Sequence, residues 1–148
     1  MKQSRTRKKA ISIGLLFMLL GIFMVTSSSA APLNQTTLEI TEVKGGFGIV
    51  SASVKNIGNE TAEAIIMTIA VNGGFFGKIN LTKVCSGCGN CSNTILPDAV
   101  KTESTAEAGR IFGIGPITIS VSVEASNAAK VEKAFTGFVL GPLVIIPQ

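Results

Sequence analysis

The chain has 148 residues, 13 of them Lys or Arg and nine Asp or Glu, with three Cys and no His, Trp or Tyr. That length suffices for one domain with a real core. Without His there is no Ser-His-Asp or Cys-His arrangement, and the commonest general base and metal ligand are missing, so no enzyme is expected. The formal charge of +4 invites a nucleic-acid reading, but Lys2, Arg5, Arg7, Lys8 and Lys9 hold five of the 13 basic residues. The remaining eight face nine acidic ones, which leaves no basic patch to neutralise phosphates and no Trp or Tyr on which bases would stack. Nucleic acid is not an expected partner.

Those five charges precede an uninterrupted apolar run from Ile11 to Val25, followed by Thr26-Ser27-Ser28-Ser29-Ala30-Ala31. This is the layout of an export signal. As a helix the run would span roughly 22 Å, short of the roughly 30 Å hydrocarbon core. Ser28 and Ala30 fit the small-residue rule for cleavage before Ala31, and Pro32 ends any helix there. Residues 1–30 are therefore read as a signal peptide, with an uncleaved anchor as the alternative, and residues 31–148 as one domain. Membrane contact is expected only through the N-terminal segment, if it is retained. Lys9-Ala10-Ile11 also resembles an archaeal prepilin cleavage site, which would leave the apolar run on the mature protein.

In the mature chain, Leu38 and Ile40 alternate with Glu39 and Thr41, a half-buried strand. The stretch Gly45 to Lys78 organises the rest of the domain: Val50, Ala52 and Val54 alternate with Ser51, Ser53 and Lys55, Gly58-Asn59-Glu60-Thr61 turns, and Ile65, Met67, Ile69 and Val71 return. Asn72-Gly73-Gly74 turns again. Phe75, Ile79 and Leu81 are expected on one face of a further strand from Phe75 to Val84. The Gly-, Ser- and Asn-rich segment Cys85 to Asn93 is a loop. Pro97 is placed at the start of a short polar edge strand running to Thr105. Pro116 to Ala125 alternates most cleanly, and Ser126-Asn127-Ala128-Ala129 connects it to a last strand, Val131 to Val139. The apolar ending Gly137 to Ile146 completes the fold, or else this segment or Ala31–Thr37 adds to a neighbour's sheet edge. No amphipathic helical period is sustained after residue 30. About seven strands at this spacing imply an all-β, antiparallel immunoglobulin-like β-sandwich.

The cysteines are Cys85, Cys88 and Cys91, all inside the loop. Three thiolates within seven residues suit Zn²⁺, Cu(I) or an iron–sulfur cluster, but a fourth cysteine is missing, and Asp98, water or a second subunit would have to complete a zinc site. Outside the cytoplasm two of the three are expected to pair as a disulfide, with the third spare or intermolecular. The compartment favours pairing, so no metal or cofactor is expected, and these three cysteines are the residues that would hold a metal if one binds. Asn34, Asn59, Asn80 and Asn90 begin N-x-S/T sequons, candidates for glycosylation, although Asn also serves turn geometry.

Val54-Lys55-Asn56-Ile57-Gly58-Asn59, with Val71-Asn72-Gly73 after it, resembles the V-x-N-x-G-x … V-x-G core of CARDB-like domains. Leu96-Pro97-Asp98 and Ile111-Phe112-Gly113-Ile114-Gly115 are similar to later turn and strand positions of that family, so the likeness covers roughly Leu38 to Leu140. It implies an immunoglobulin-like module of bacterial and archaeal cell-surface proteins, serving adhesion or scaffolding. The expectation is thus a secreted or surface-displayed structural or adhesive module whose partners are other surface proteins, glycans or itself. Two competitors stand beside it. One is a metal-binding or redox protein using the cysteine loop; the other is a filament subunit assembling by strand addition.

Overall fold

A computed structural model describes residues 36–87 and 93–147, all within the compact unit Pro32–Gln148. The expected signal segment, Asn34, Cys88, Asn90 and Cys91 lie outside the described residues. Ten strands follow in order: β1 (Leu38–Gly45), β2 (Val50–Asn56), β3 (Ala62–Glu63), β4 (Ile66–Gly73), β5 (Ile79–Cys85), β6 (Thr94–Ile95), β7 (Val100–Ser104), β8 (Gly113–Ala125), β9 (Ala128–Gly141) and β10 (Leu143–Ile145). Single 3₁₀ turns occupy Phe75–Gly77 and Thr105–Glu107, and no α-helix occurs among the described residues. The seven strands of five residues or more are the seven expected from periodicity. The other three, β3, β6 and β10, are two or three residues long, below what an alternating pattern can reveal.

Every strand pair is antiparallel. One sheet has the order β1-β2-β7, the second β10-β9-β8-β4-β5, and β3 pairs β6 in a short third ladder. The two larger sheets turn their apolar faces onto one core. Val50, Ala52 and Val54 of β2 meet Met67, Ile69 and Val71 of β4 and Ile117, Ile119, Val121 and Val123 of β8 there, with Ser, Thr, Ala70 and Asn72 on the alternate positions. Each such Ile or Val is worth about 1.5–3 kcal/mol over leaving it in water. Among the described residues its fully buried members include no aromatic, and Phe135 packs against it partly buried.

Irregularities explain where the strands depart from simple alternation. A bulge between Ile40 and Glu42 lets β1 bury Leu38 and Ile40 and then Val43, three positions later. The extra residue, Thr41, is held by its hydroxyl on the Ser53 carbonyl at 3.2 Å. Ala64, at φ 51°, breaks the chain between β3 and β4.

Three expected placements need correction. Phe75 is not in a strand: it sits in the 3₁₀ turn before β5, exposed, because Gly73 and Gly74 take positive φ and end β4 two residues earlier. Pro97-Asp98 is a turn before β7 and not its first residues, with the Asp98 N–H bonded to the Asn56 carbonyl. The hairpin after β8 turns on Ser126 and Asn127 alone, and Ala128 and Ala129 already belong to β9.

The last strand closes one side of the molecule. β10 pairs Phe138, Val139 and Leu140 of β9 and also reaches the first sheet, where the Val144 N–H bonds the Gly46 carbonyl and Phe47 bridges Leu143. Gly45 has no side chain because a Cβ there would run into the Val144 carbonyl. Beyond the reach of β10, Lys133 of β9 spans the gap, its ammonium donating to the Ile40 carbonyl at 2.8 Å. Among the described residues no helix is long and apolar enough to cross a membrane.

Candidate functional site

The register places the loops of the molecule at two ends. Gly45 pairs Val50, Gly73 pairs both Ile79 and Ile117, and Gly113 pairs Gly141, so the connections 46–49, 74–78, 109–112 and the turn at Gly141-Pro142 gather at one end. Backbone hydrogen bonds stitch them together. Gly48 donates to Pro142, Ile111 to Gly48, and Gly74 to Pro116. From this frame project Phe47, Phe75, Phe76, Phe112 and Leu143, exposed by 69%, 59%, 96%, 74% and 44%. Those values decide the character of this end, since a large apolar residue so exposed contributes nothing to the core.

Local backbone chemistry holds the aromatics out. Phe76 lies in the left-handed region at φ 65°, a conformation that costs a bulky L-residue about 1 kcal/mol or more. Gly115, at φ 124°, passes so close beneath that a Cβ would stand 2.7 Å from the Phe75 nitrogen. An apolar cleft of about 400 Å³ opens between Phe75, Phe76, Ile79, Phe112 and Ile114, with Lys78 on its margin. Arg110 is exposed and donates one hydrogen bond, 2.9 Å, to the Phe47 carbonyl. Segments 43–50, 73–81, 108–117 and 133–147 contain no Asp or Glu.

The opposite end is built from polar contacts. Asn56, fully buried, donates its amide to the carbonyls of Glu60 (2.6 Å) and Ile95 (3.0 Å) and accepts from the Gly58 N–H (3.0 Å). Asn127 accepts from the Glu63 N–H and donates to the Thr61 carbonyl, tying the β8–β9 hairpin to β3. Glu60, Glu63, Asp98 and Glu124 belong to this half, and Asp98 is ion-paired with Lys55 at 3.1 Å.

Of the cysteines and sequon asparagines singled out from the sequence, Cys85, Asn59 and Asn80 fall among the described residues. Cys85 ends β5 opposite Met67, 1% exposed, with the Lys101 ammonium 3.9 Å from its sulfur and Glu103 3.5 Å from that ammonium. Among the described residues no three Cys, Asp or Glu side chains converge on a metal-sized site. Asn59 and Asn80 are both exposed, one in the turn after β2 and the other in β5. The aromatic end was not singled out from the sequence. A signal for it exists, because Phe47, Phe75, Phe76, Phe112 and Phe138 each stand beside a glycine, and Phe in Gly-flanked turns is a poor candidate for a core. In comparison with known proteins, the chain matches no family model and no curated protein.

Proposed function

We propose that the protein is an exported immunoglobulin-like β-sandwich, displayed on or released from the cell surface, which works by surface contact as a structural or adhesive module without catalysis. The CARDB-like resemblance of the Val54–Asn59 and Val71–Gly73 segments belongs to this reading. The observation that carries it is the division of labour among side chains. Buried polar groups such as Asn56 and Thr105 hold backbone, while the exposed phenylalanines of the turns, Phe47, Phe75, Phe76 and Phe112, gather at one end. Contiguous exposed apolar surface of this kind marks interaction sites on soluble proteins.

The chemistry of the loop fits the same compartment. Cys85 is assigned to a disulfide with Cys88 or Cys91, a reading supported by its burial at the end of β5. In an oxidising compartment such a bond closes a short loop there. Asn59 and Asn80 are open to glycan attachment.

The test is the intact mass of the protein recovered from the outside of its own host, before and after reduction and alkylation. The expected chain starts at Ala31, with two thiols blocked until reduction or a dimer that reduction splits. Three thiols that alkylate only after a chelator is added, with metal in the native spectrum, would replace this account by a metal-binding one.

A further inference from the structure

We infer that the aromatic end is a lipid-docking tip that seats its phenylalanines in the interfacial layer of a membrane carrying anionic headgroups. The inference rests on the surface-module reading only in naming that module's partner. Four separate connections each contribute apolar side chains to one end, and Phe76 is held almost wholly in water by a left-handed backbone. Side chains displayed on turns, projecting beyond the sheets, match a soft, deformable apolar layer better than a flat protein face. An amphipathic surface binds a bilayer by burying such apolar area together with attraction of cations to anionic lipids.

The charges at this end select among occupants. Lys78 has no ion-pair partner among the described residues, and Arg110 spends one of its donors on the Phe47 carbonyl and keeps the others. Lys44 is neutralised by Glu42 at 2.7 Å. Glu107, the carboxylate of the β7–β8 connection, is engaged by Lys83. A second copy docked tip to tip would therefore set Lys78 and Arg110 against the same cations of its partner, with no unpaired carboxylate on these connections to receive them. A symmetric interface is self-complementary by construction, and this one would be repulsive. A phosphate-bearing surface places the opposite charge there. The cleft beside Phe75 and Phe112, apolar within and cationic at its margin, suits an acyl chain below its phosphate.

The chain contains no Trp, so one introduced indole reports on its own surroundings. In the exported form starting at Ala31, which lacks the apolar run Ile11–Val25, Phe76→Trp places the reporter on the tip and Ile57→Trp places it in the turn after β2, at the other end. Each is mixed with vesicles of equimolar phosphatidylglycerol and phosphatidylcholine, with and without brominated acyl chains. The expected result is a blue shift and bromine quenching for Phe76→Trp alone, with partitioning roughly fivefold weaker when Lys78→Gln is added. No shift at Phe76→Trp, or equal quenching at both positions, overturns the inference. So does a shift that grows with protein concentration in the absence of vesicles, which assigns the tip to a second copy. Equal binding to pure phosphatidylcholine overturns the anionic component. A protein recovered outside the cell that ignores these vesicles loses the lipid tip and keeps the surface role. Tip-specific vesicle binding by a protein that is never exported does the reverse.

Discussion

The two ends of the sandwich differ most in their aromatic side chains and in the buried amide of Asn56: aliphatic residues such as Ile57 and Leu96 are exposed at the Asn56 end, but the exposed phenylalanines of the turns gather at the other. At the Asn56 end, the Asn56 amide points inward and satisfies the Ile95 carbonyl, which would otherwise be stranded in the core, together with part-buried groups of Glu60 and Gly58. At the Phe76 end the backbone largely satisfies itself through Gly48, Gly74 and Ile111, and the large side chains point out. A buried donor without a partner costs about 1–3 kcal/mol, so the first end is a stability element. Removing an exposed phenyl costs the fold little, so the second is free to answer to a partner. One scaffold thus separates what holds it together from what it presents.

Substitutions at each end test that separation. Asn56→Ala strands the buried Ile95 carbonyl and breaks the part-buried bonds to Glu60 and Gly58, and is expected to cost about 2 kcal/mol or more in urea unfolding. A loss below about 1 kcal/mol would show that the polar end is not structural. Gly115→Ala should cost about 2 kcal/mol, because it meets both a positive φ and the Phe75 nitrogen, and it should shift near-ultraviolet signals of the Phe turn. Thr105→Val removes the hydroxyl that accepts the Val50 N–H at 3.0 Å. Its expected cost is about 1–2 kcal/mol, with hydrogen exchange at Val50 accelerated. Phe76→Gly should go the other way, raising stability by about 0.5 kcal/mol as left-handed strain is relieved. A thermal melt that falls instead would make Phe76 part of the fold and collapse the distinction between the ends.

Much of the fold was legible because apolar burial in β4 and β8 alternates residue by residue, although in β2 Ser53 is buried as well. Ile117, Ile119, Val121 and Val123 could be assigned to one face from spacing alone, and the same holds for Val50, Ala52 and Val54. Val43 could not, since the bulge at Thr41 inverts the faces partway along β1 and leaves no mark in composition. Phe75 misled for a related reason. Two positive-φ glycines detach it from the strand, and hydrophobicity by itself does not tell a core residue from a displayed one. The turn containing Gly58 and Asn59 was expected, but the work of Asn56 was not. Its amide bonds Ile95, 39 positions away, a contact that no local pattern encodes. The candidate tip was hidden in the same way. Its four connections are distant in sequence and become neighbours only through the sheet pairing and the backbone bonds of Gly48, Gly74, Ile111 and Val144.

That stitching also sets the order in which the molecule can finish folding. Gly46 and Phe47, on the first hairpin, are secured by Leu143 and Val144 near the end of the chain. Contacts so far apart in sequence form late, since the loop between them must be closed before they repay its entropy. The early hairpin therefore waits, its edge unlocked, until the last residues are delivered. For a protein that leaves the cell as proposed here, the delay is useful. An unfinished hairpin would stay threadable through a narrow channel, and the latch would shut once β10 joined it.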